Sequence, residues 1–278
     1  MQVYFIYYSM HLSSSQAIGI FDSGVGGLTV AAAVKNLLPN EKIIYFGDTA
    51  HLPYGDKSSE TVKNYSLAIA NFLLEKKCKV ILIACNTASA AAFDAVKEKA
   101  ADQAIVINVI DPAVEYVANN ELYKKIGIIG TKGTVLSESY PRKIKKLDQL
   151  KEVVSLQTPL LVPMIEEGFI YDNISNAIIK EYLSNDILNQ IDALILGCTH
   201  YPIIKNQIRK FYNFKTEIID SSLIVAQKLK SILSENNLLN TENGLREHEF
   251  YISDYTDFFK TLADMFFEEH VNLKIKTL

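Results

Sequence analysis

Short apolar runs alternate along the chain with longer segments in which apolar residues recur every three or four positions. The short runs predict strands, at 17–22, 42–47, 79–84, 104–109, 125–130, 152–156, 192–197 and 215–219. The longer segments predict helices, such as 59–76, where Val62, Ile69 and Leu73 share one face. Strands that alternate with helices are typical of βαβ units in mainly parallel sheets. Ligands bind beyond the carboxyl ends of the strands in such sheets, so we expect the functional residues there.

The first half of this pattern resembles the second half. The segment Ile18-Gly-Ile-Phe-Asp-Ser resembles Ile126-Gly-Ile-Ile-Gly-Thr, and Val80-Ile-Leu-Ile-Ala-Cys resembles Ala193-Leu-Ile-Leu-Gly-Cys at nearly the same offset. Two such matches indicate a duplicated α/β unit. Each unit then contains a strand that ends in a cysteine. If the two units pack face to face, one thiol lies on each side of the cleft between them.

The composition narrows the class of protein. Of the 278 residues, 49% are hydrophobic and 22% are charged, which suits a folded enzyme of about two domains. The 28 basic and 32 acidic residues leave no basic excess for binding nucleic acid. No run of about 18 apolar residues predicts a membrane span. The three cysteines do not make a disulfide framework, which favours the cytoplasm.

A glycine-rich segment, Asp22-Ser-Gly-Val-Gly-Gly-Leu-Thr29, follows the first predicted strand and precedes a predicted helix at 29–38. Backbone N–H groups in such a turn predict an anion site. The segment does not match a dinucleotide-binding fingerprint, because Thr29 stands where the third glycine is required. It is not a P-loop either, because no Gly-Lys-Ser/Thr follows. Asp22 is either a functional carboxylate at a strand end or a cap of the helix.

Two of the three cysteines stand at strand ends and are followed by polar residues. Cys85 precedes a predicted helix at 88–98, and a thiol at a helix N-terminus has a lowered pKa. Cys198 lies two residues before His200, whose imidazole can exchange a proton with a thiol. Each could instead be a small core residue, as we expect for Cys78. A zinc site is a further alternative, but the spacing matches no familiar zinc module.

Two facing thiols suit the inversion of a stereocentre. One thiolate removes the α-proton from one face of a carbon, and the opposite thiol returns a proton to the other face. Donors to the substrate carboxylate must stabilise the charge that develops. Such a site works in both directions and requires no cofactor and no metal.

Several segments together resemble a known family. They occur in the family's order between about residues 17 and 252, at 19–29, 47–55, 84–88, 128–134, 162–166 and 196–202. On these segments the chain resembles the bacterial cofactor-independent aspartate/glutamate racemase superfamily, and in particular its glutamate-specific members. The resemblance implies interconversion of L- and D-glutamate without pyridoxal phosphate or metal, which supplies D-glutamate for peptidoglycan.

The resemblance also implies roles for individual residues. Cys85 would deprotonate D-glutamate with the assistance of Asp22. Cys198 would deprotonate L-glutamate with the assistance of Glu166 and His200. The residues implied to hold the substrate are Asp22, Ser23, Tyr54, Gly55, Asn86, Thr87, Thr199 and His200. Two alternatives stay open: Glu167 could be the functional carboxylate in place of Glu166, and Tyr54 could merely pack beside Pro53.

The family fold implies two α/β domains related by a pseudo-twofold, with mainly parallel sheets and the active site in the cleft between them. The first domain is expected to be discontinuous, at 17–110 plus 219–278, and the second to span 111–218. Residues 1–16 are an expected N-terminal extension, of which the first nine are disordered or precede an alternative start. Family members are commonly homodimers.

Two other functions remain open from the sequence. One is an aspartate racemase of the same superfamily, although aspartate racemases typically carry glutamate at the position of His200. The other is a protein that binds an amino acid without catalysis, which would be expected to lack one of the two thiols.

Overall fold

Ten strands form two sheets in the described part of the chain, residues 12–242 and 247–278 of a computed structural model. The first sheet has the order β10-β9-β2-β1-β3-β4 and the second β6-β5-β7-β8. The strands are β1 (Ile18–Asp22), β2 (Ile43–Gly47), β3 (Val80–Ile83), β4 (Ile105–Asn108), β5 (Lys125–Gly130), β6 (Glu152–Gln157), β7 (Ala193–Gly197), β8 (Glu217–Ile219), β9 (Glu249–Ile252) and β10 (Leu273–Ile275). Every pairing between these strands is parallel, so the predicted α/β class with mainly parallel sheets is confirmed.

Helices connect the strands. They are α1 (Leu28–Leu37), α2 (Ser59–Glu75), α3 (Asn86–Ala100), α4 (Ile110–Ala118), α5 (Lys132–Leu136), α6 (Ser139–Leu147), α7 (Leu161–Glu166), α8 (Asn173–Leu183), α9 (Lys205–Phe211), α10 (Ser221–Glu235) and α11 (Asp257–Phe267). Short 3₁₀ turns occur at Thr49–His51, Tyr54–Asp56, Asp186–Leu188 and Tyr201–Ile204. None of the helices in the described part of the chain combines the length and the apolar character that crossing a bilayer requires.

The two sheets repeat one strand order, β2-β1-β3-β4 in the first and β6-β5-β7-β8 in the second. In the first sheet β1 is flanked by β2 and β3, and in the second β5 is flanked by β6 and β7. This agrees with the duplicated unit that the sequence predicts. It places the cysteines that follow β3 and β7 at equivalent strand ends.

The central strands β1, β2, β3 and β7 are buried at every position, which explains their continuous apolar runs. Along β3, Val80 and Leu82 join an apolar cluster that includes α1, α10 and α11. Ile81 and Ile83 point the other way and join a cluster with α2 and α3. Successive side chains of a strand alternate between faces, so a strand covered on both sides needs apolar residues throughout.

All eight predicted strands are present, with end points that differ by two residues or fewer. The strands β9 and β10 were not predicted. β9 begins with Glu249 after a polar segment, and β10 lies at the edge of its sheet and carries the exposed residues Lys274 and Ile275. Neither strand shows a period-2 pattern that distinguishes it from a loop.

The chain leaves the first sheet after β4 and returns to it with β9, and β8 is the last strand of the second sheet. The domain limits at 110 and 219 and the pseudo-twofold relation stay predictions. Of the expected N-terminal extension, residues 1–11 lie outside the described residues. In the remainder, Leu12 packs against the core of the first sheet, and the carbonyl of Ser14 accepts a 2.5 Å hydrogen bond from Lys79 Nζ.

Candidate active site

A small buried cavity lies where the carboxyl ends of β1, β2, β3, β5 and β7 converge. Its volume is about 20 Å³, which is room for about one or two water molecules. Cys85 and Cys198, both buried, contribute to the same cavity. Its lining consists of Ser23, Leu52, Pro53, Tyr54, Gly55, Cys85, Asn86, Thr87, Thr131, Val162, Cys198, Thr199 and His200. The two sheets therefore bring one thiol each to a shared space.

Cys85 caps the N-terminus of α3. Its Sγ accepts a hydrogen bond from Ala88 N at 3.5 Å and donates one to Ser23 Oγ at 3.8 Å. The helix N-terminus predicted a lowered pKa, and this expectation is wrong. Burial and the charge of Asp22 raise the pKa of the Cys85 thiol, and together they outweigh the Ala88 N–H group. Cys85 is accordingly a protonated thiol at neutral pH.

Asp22, at the end of β1, is fully buried behind the lining of the cavity. Its Oδ2 accepts hydrogen bonds from Gly24 N and Gly27 N, both at 3.0 Å. Its Oδ1 accepts one from Thr199 Oγ1 at 3.2 Å. The anion that the glycine-rich turn binds is therefore the chain's own carboxylate. Burial raises the pKa of Asp22, although the charge of His200 opposes this effect.

Across the cavity from Cys85, a hydrogen-bonded row is formed by Cys198, His200 and Glu166. Cys198 Sγ lies 3.7 Å from His200 Nδ1, and His200 Nε2 is hydrogen-bonded to Glu166 Oε1. Burial alone would lower the pKa of His200, but its bonds to Cys198 and Glu166 raise it well above 6.5. Glu166 lies behind His200, outside the cavity lining, whereas Glu167 is exposed to solvent. Of the two carboxylates left open by the sequence, Glu166 is the one that contacts this row.

Neutral donors supply the remaining polar groups of the cavity. The hydroxyls of Thr87 and Thr131 are 2.9 Å apart, and Thr134 Oγ1 lies 3.3 Å from Thr87 Oγ1. Asn86 is buried, and its Nδ2 atom has no hydrogen-bond partner among the described residues. Within the described part of the chain the lining contains no lysine or arginine, so a bound carboxylate would meet amide, hydroxyl and imidazole groups.

The segment after β2 brings Tyr54 and Gly55 to the cavity. Tyr54 is buried, and its hydroxyl donates a 2.6 Å hydrogen bond to Asp48 Oδ2. Asp48 also pairs with His51 Nδ1 at 2.8 Å. A Cβ on Gly55 would lie 2.4 Å from Thr131 Cβ, so only glycine allows the two segments to approach so closely. Tyr54 therefore both packs in the turn and lines the cavity.

The sequence reasoning missed Thr131, which lines the cavity, and also Asp48 and Tyr140, which are hydrogen-bonded to lining residues. Thr131 lies within the segment 128–134, and Asp48 directly follows β2 much as Asp22 ends β1, which is a usable signal. Tyr140 gave no signal, because an aromatic residue on a helix is read as core. Among residues 12–242 and 247–278, no group of three or more His, Cys, Asp or Glu side chains could hold a metal ion.

A family model and the curated relatives of this chain point to the same kind of protein. Residues 28–229 match the family model described as Asp/Glu/Hydantoin racemase. The curated glutamate racemase of Chlorobaculum parvum is 42% identical over 255 residues, which cover 92% of this chain and 93% of that protein. A curated glutamate racemase of Neisseria meningitidis serogroup C is 39% identical and covers 92% of this chain and 94% of its own length.

A solved structure agrees with these sequences. The crystal structure of glutamate racemase from Francisella tularensis in complex with D-glutamate superposes with a TM-score of 0.88 at 43% identity. The match covers 95% of this chain and 98% of that one. The family model spans most of the chain, and the relatives extend along nearly its whole length. The chain therefore belongs to the Asp/Glu/hydantoin racemase family and is an isomerase.

Proposed function

We propose that this chain interconverts L- and D-glutamate by α-proton transfer between Cys198 and Cys85. The observation that carries the proposal is the shared cavity, in which the two thiols stand at equivalent ends of β3 and β7. The glutamate racemases that match nearly the whole chain, one of them solved with D-glutamate, support glutamate as the substrate.

The proposed reaction from L-glutamate begins with Cys198 as the thiolate. The cationic imidazole of His200 lies beside Cys198 Sγ, so the thiolate forms next to a positive charge. Cys198 takes the α-proton, and the electron pair left on Cα is stabilised through the α-carboxylate by the neutral donors of the cavity. Cys85, held as a thiol by burial and by Asp22, then gives its proton to the opposite face.

The product of this step is D-glutamate, with a thiol at Cys198 and a thiolate at Cys85. That protonation state is the one that acts on D-glutamate in the reverse direction. In this scheme Glu166 keeps His200 oriented and charged, and Ser23, Tyr54, Gly55, Asn86, Thr87 and Thr199 hold the substrate. By resemblance, the D-glutamate supplies peptidoglycan synthesis, and the enzyme acts in the cytoplasm as a homodimer.

The first test follows L-glutamate in D₂O by proton NMR and circular dichroism on one sample without added cofactor. We expect the dichroism to decay to zero while the α-proton signal disappears. Early in the reaction, deuterium should appear in the D-glutamate formed and not in the remaining L-glutamate, because the two protons come from different thiols. No change with either enantiomer would refute glutamate as the substrate, and the same assay with aspartate would test the aspartate racemase alternative.

Substitution of either thiol tests the two-base scheme. We expect Cys85→Ser and Cys198→Ser each to lower the racemisation rate by about 10²–10⁴-fold, the contribution of one positioned acid or base. Any α-proton exchange that remains should occur on the face of the intact thiol, with D-glutamate for Cys198→Ser and L-glutamate for Cys85→Ser. Cys78→Ala is the control, because this buried cysteine lies in the core of the first sheet. Full racemisation by either serine variant would refute the scheme.

A further inference from the structure

In the side-chain amide of Asn86, the oxygen Oδ1 is hydrogen-bonded, whereas the nitrogen Nδ2 has no hydrogen-bond partner among the described residues. Asn86 begins α3, is 2% exposed and lines the cavity. Its Oδ1 accepts a 2.7 Å hydrogen bond from the hydroxyl of Tyr140. Its Nδ2 is buried without a partner among the described residues. A buried N–H donor without a partner is costly, so this atom is expected to meet a ligand.

Tyr140 reaches Asn86 from the other half of the molecule. It lies in the first turn of α6, is 1% exposed and packs in the apolar cluster of the second sheet with Ile126, Ile128 and Ile144. Its ring lies close to the end of β7, because a Cβ on Gly197 would be 3.6 Å from the Tyr140 Cε2 atom. Tyr140 therefore spans the distance from the strand of Cys198 to the residue that follows Cys85.

The protonation state of Tyr140 fixes the direction of this hydrogen bond. Burial, followed by the charges of Asp111 and Cys198, raises the pKa of Tyr140, so the hydroxyl keeps its proton and remains a donor. A donor at this position favours the oxygen side of the Asn86 amide. The nitrogen side is then left for the cavity, where an amide oxygen would repel a carboxylate.

We propose that Tyr140 is a positioning residue whose hydroxyl holds the Asn86 amide with Nδ2 directed at a carboxylate of the substrate. The inference rests on the proposed function, since glutamate supplies the carboxylate. It also makes the orientation of Asn86 depend on contact between the two halves, because donor and acceptor come from α6 and α3 respectively.

The test is Tyr140→Phe, which removes only the hydroxyl. We expect the KM for both enantiomers of glutamate to rise about fivefold to tenfold, the effect of one lost hydrogen bond, with kcat changed by less than about threefold. Tyr182→Phe is the matched control, because it removes another hydrogen-bonded tyrosine hydroxyl of the second half, one that accepts from Leu160 N away from the cavity. This control should leave KM unchanged.

A double-mutant cycle separates positioning from packing. In an Asn86→Ala background, Tyr140→Phe should have no further effect on KM, because the amide through which it acts is gone. Asn86→Asp, which replaces Nδ2 by an oxygen and leaves Tyr140 intact, should raise KM more than Tyr140→Phe does. An equal rise in KM with and without Asn86 would overturn the inference in favour of packing. An unchanged KM in Tyr140→Phe would also overturn it.

The wild-type protein, assayed in parallel, keeps this inference distinct from the proposed function. If the wild type racemises glutamate and Tyr140→Phe behaves like it, only the role of Tyr140 is refuted. If the wild type does not racemise glutamate, the proposed function fails, and the carboxylate assigned to Asn86 Nδ2 fails with it.

Discussion

Gly26 is the residue at which the backbone of the glycine-rich turn meets the side chains that follow β7. A Cβ on Gly26 would lie 2.4 Å from Thr199 Oγ1 and 2.6 Å from His200 Nδ1. Its φ is not in the left-handed region, so the position requires glycine for space and not for backbone conformation. The need for glycine at position 26 therefore comes from Thr199 and His200, which belong to the other half of the chain.

Gly26→Ala is expected to lower kcat/KM by about 10²-fold or more, because His200 must move and a displacement of about 1 Å in a catalytic constellation has that effect. Steady-state racemisation measures the loss. Gly19→Ala is the matched control, since its Cβ would meet only Leu73 and Cys78 in the core, at 3.1 Å. That variant should lose stability by about 1–3 kcal/mol through overpacking and keep its activity. Normal activity of Gly26→Ala would contradict the assigned geometry.

Asp22→Asn is expected to move the alkaline limb of the pH–rate profile to lower pH. The charge of Asp22 helps to raise the pKa of Cys85, and the reaction requires that one thiol of the coupled pair stays protonated. Without that charge the last proton of the pair is lost at lower pH, so activity declines earlier as pH rises. Enantiomers have equal free energy, so kcat/KM must shift alike in both directions.

Asp48→Asn provides the control for this pH prediction. It removes another buried carboxylate at a strand end, and the charge of Asp48 is not among the causes that raise the pKa of Cys85. Its alkaline limb should therefore coincide with that of the wild type, even if KM changes through Tyr54. An alkaline limb that moves to higher pH in Asp22→Asn would reverse the assigned sign.

At the scale of elements, Lys79, the residue that precedes β3, joins three segments by hydrogen bonds at the amino-terminal edge of the first sheet. Lys79 Nζ donates to Ser14 O at 2.5 Å, to Glu41 Oε2 at 2.6 Å and to Leu238 O at 2.8 Å. The side chains of Lys79 and Glu41 are 0% and 2% exposed. The sequence pattern shows Lys79 only as the polar start of a strand, although it lies at the junction of distant segments.

Lys79→Met is expected to lower the free energy of unfolding by about 3–5 kcal/mol, because Glu41 then stays buried without this cation. Urea unfolding measures the change. Adding Glu41→Leu should restore part of the loss, because the uncompensated charge is removed as well. Lys228→Met is the control: its ion pair with Glu115 is exposed, so the loss should be about 0–1 kcal/mol. Equal losses in the two lysine variants would contradict this account.

At the scale of the whole molecule, the two halves close over the cavity. Its volume of about 20 Å³ is far below that of an amino acid, so we expect the halves to move apart before a substrate enters. The contacts that must separate join α3 to the second half, through Asn86–Tyr140 and Thr87–Thr131. So small a space leaves room for little water between the thiols, which strengthens the electrostatic interactions there.

We expect saturating D-glutamate to slow amide hydrogen exchange at the start of α3 and along α5, and to reduce the radius of gyration measured by X-ray scattering. Both follow from a shift towards the closed arrangement. The strands β1, β2 and β3, which are buried at every position, serve as the internal control and should exchange equally with and without ligand. Identical exchange and scattering in the two conditions would show that substrate enters without separation of the halves.

Eight of the ten strands described, the duplication and the two thiols were predictable because each depends on local order along the chain. A strand buried on both faces needs a continuous apolar run, and both cysteines directly follow such runs. The pKa of Cys85 was not predictable, because the burial and the Asp22 charge that raise it come from the packing of β1 against β3. Tyr140 was not predictable either, since its partner Asn86 is 54 residues away.

By itself, the sequence determined the α/β class, the duplication of an α/β unit and the placement of Cys85 and Cys198 at strand ends. These features follow from the periodicity of apolar residues and from the identity of neighbouring residues, both of which are local properties of the chain. Only the tertiary structure decided that both thiols share one cavity, that Glu166 rather than Glu167 contacts His200, and that the glycine-rich turn binds Asp22. Those outcomes depend on contacts between residues that are distant along the chain, and such contacts exist only after the two sheets have packed together.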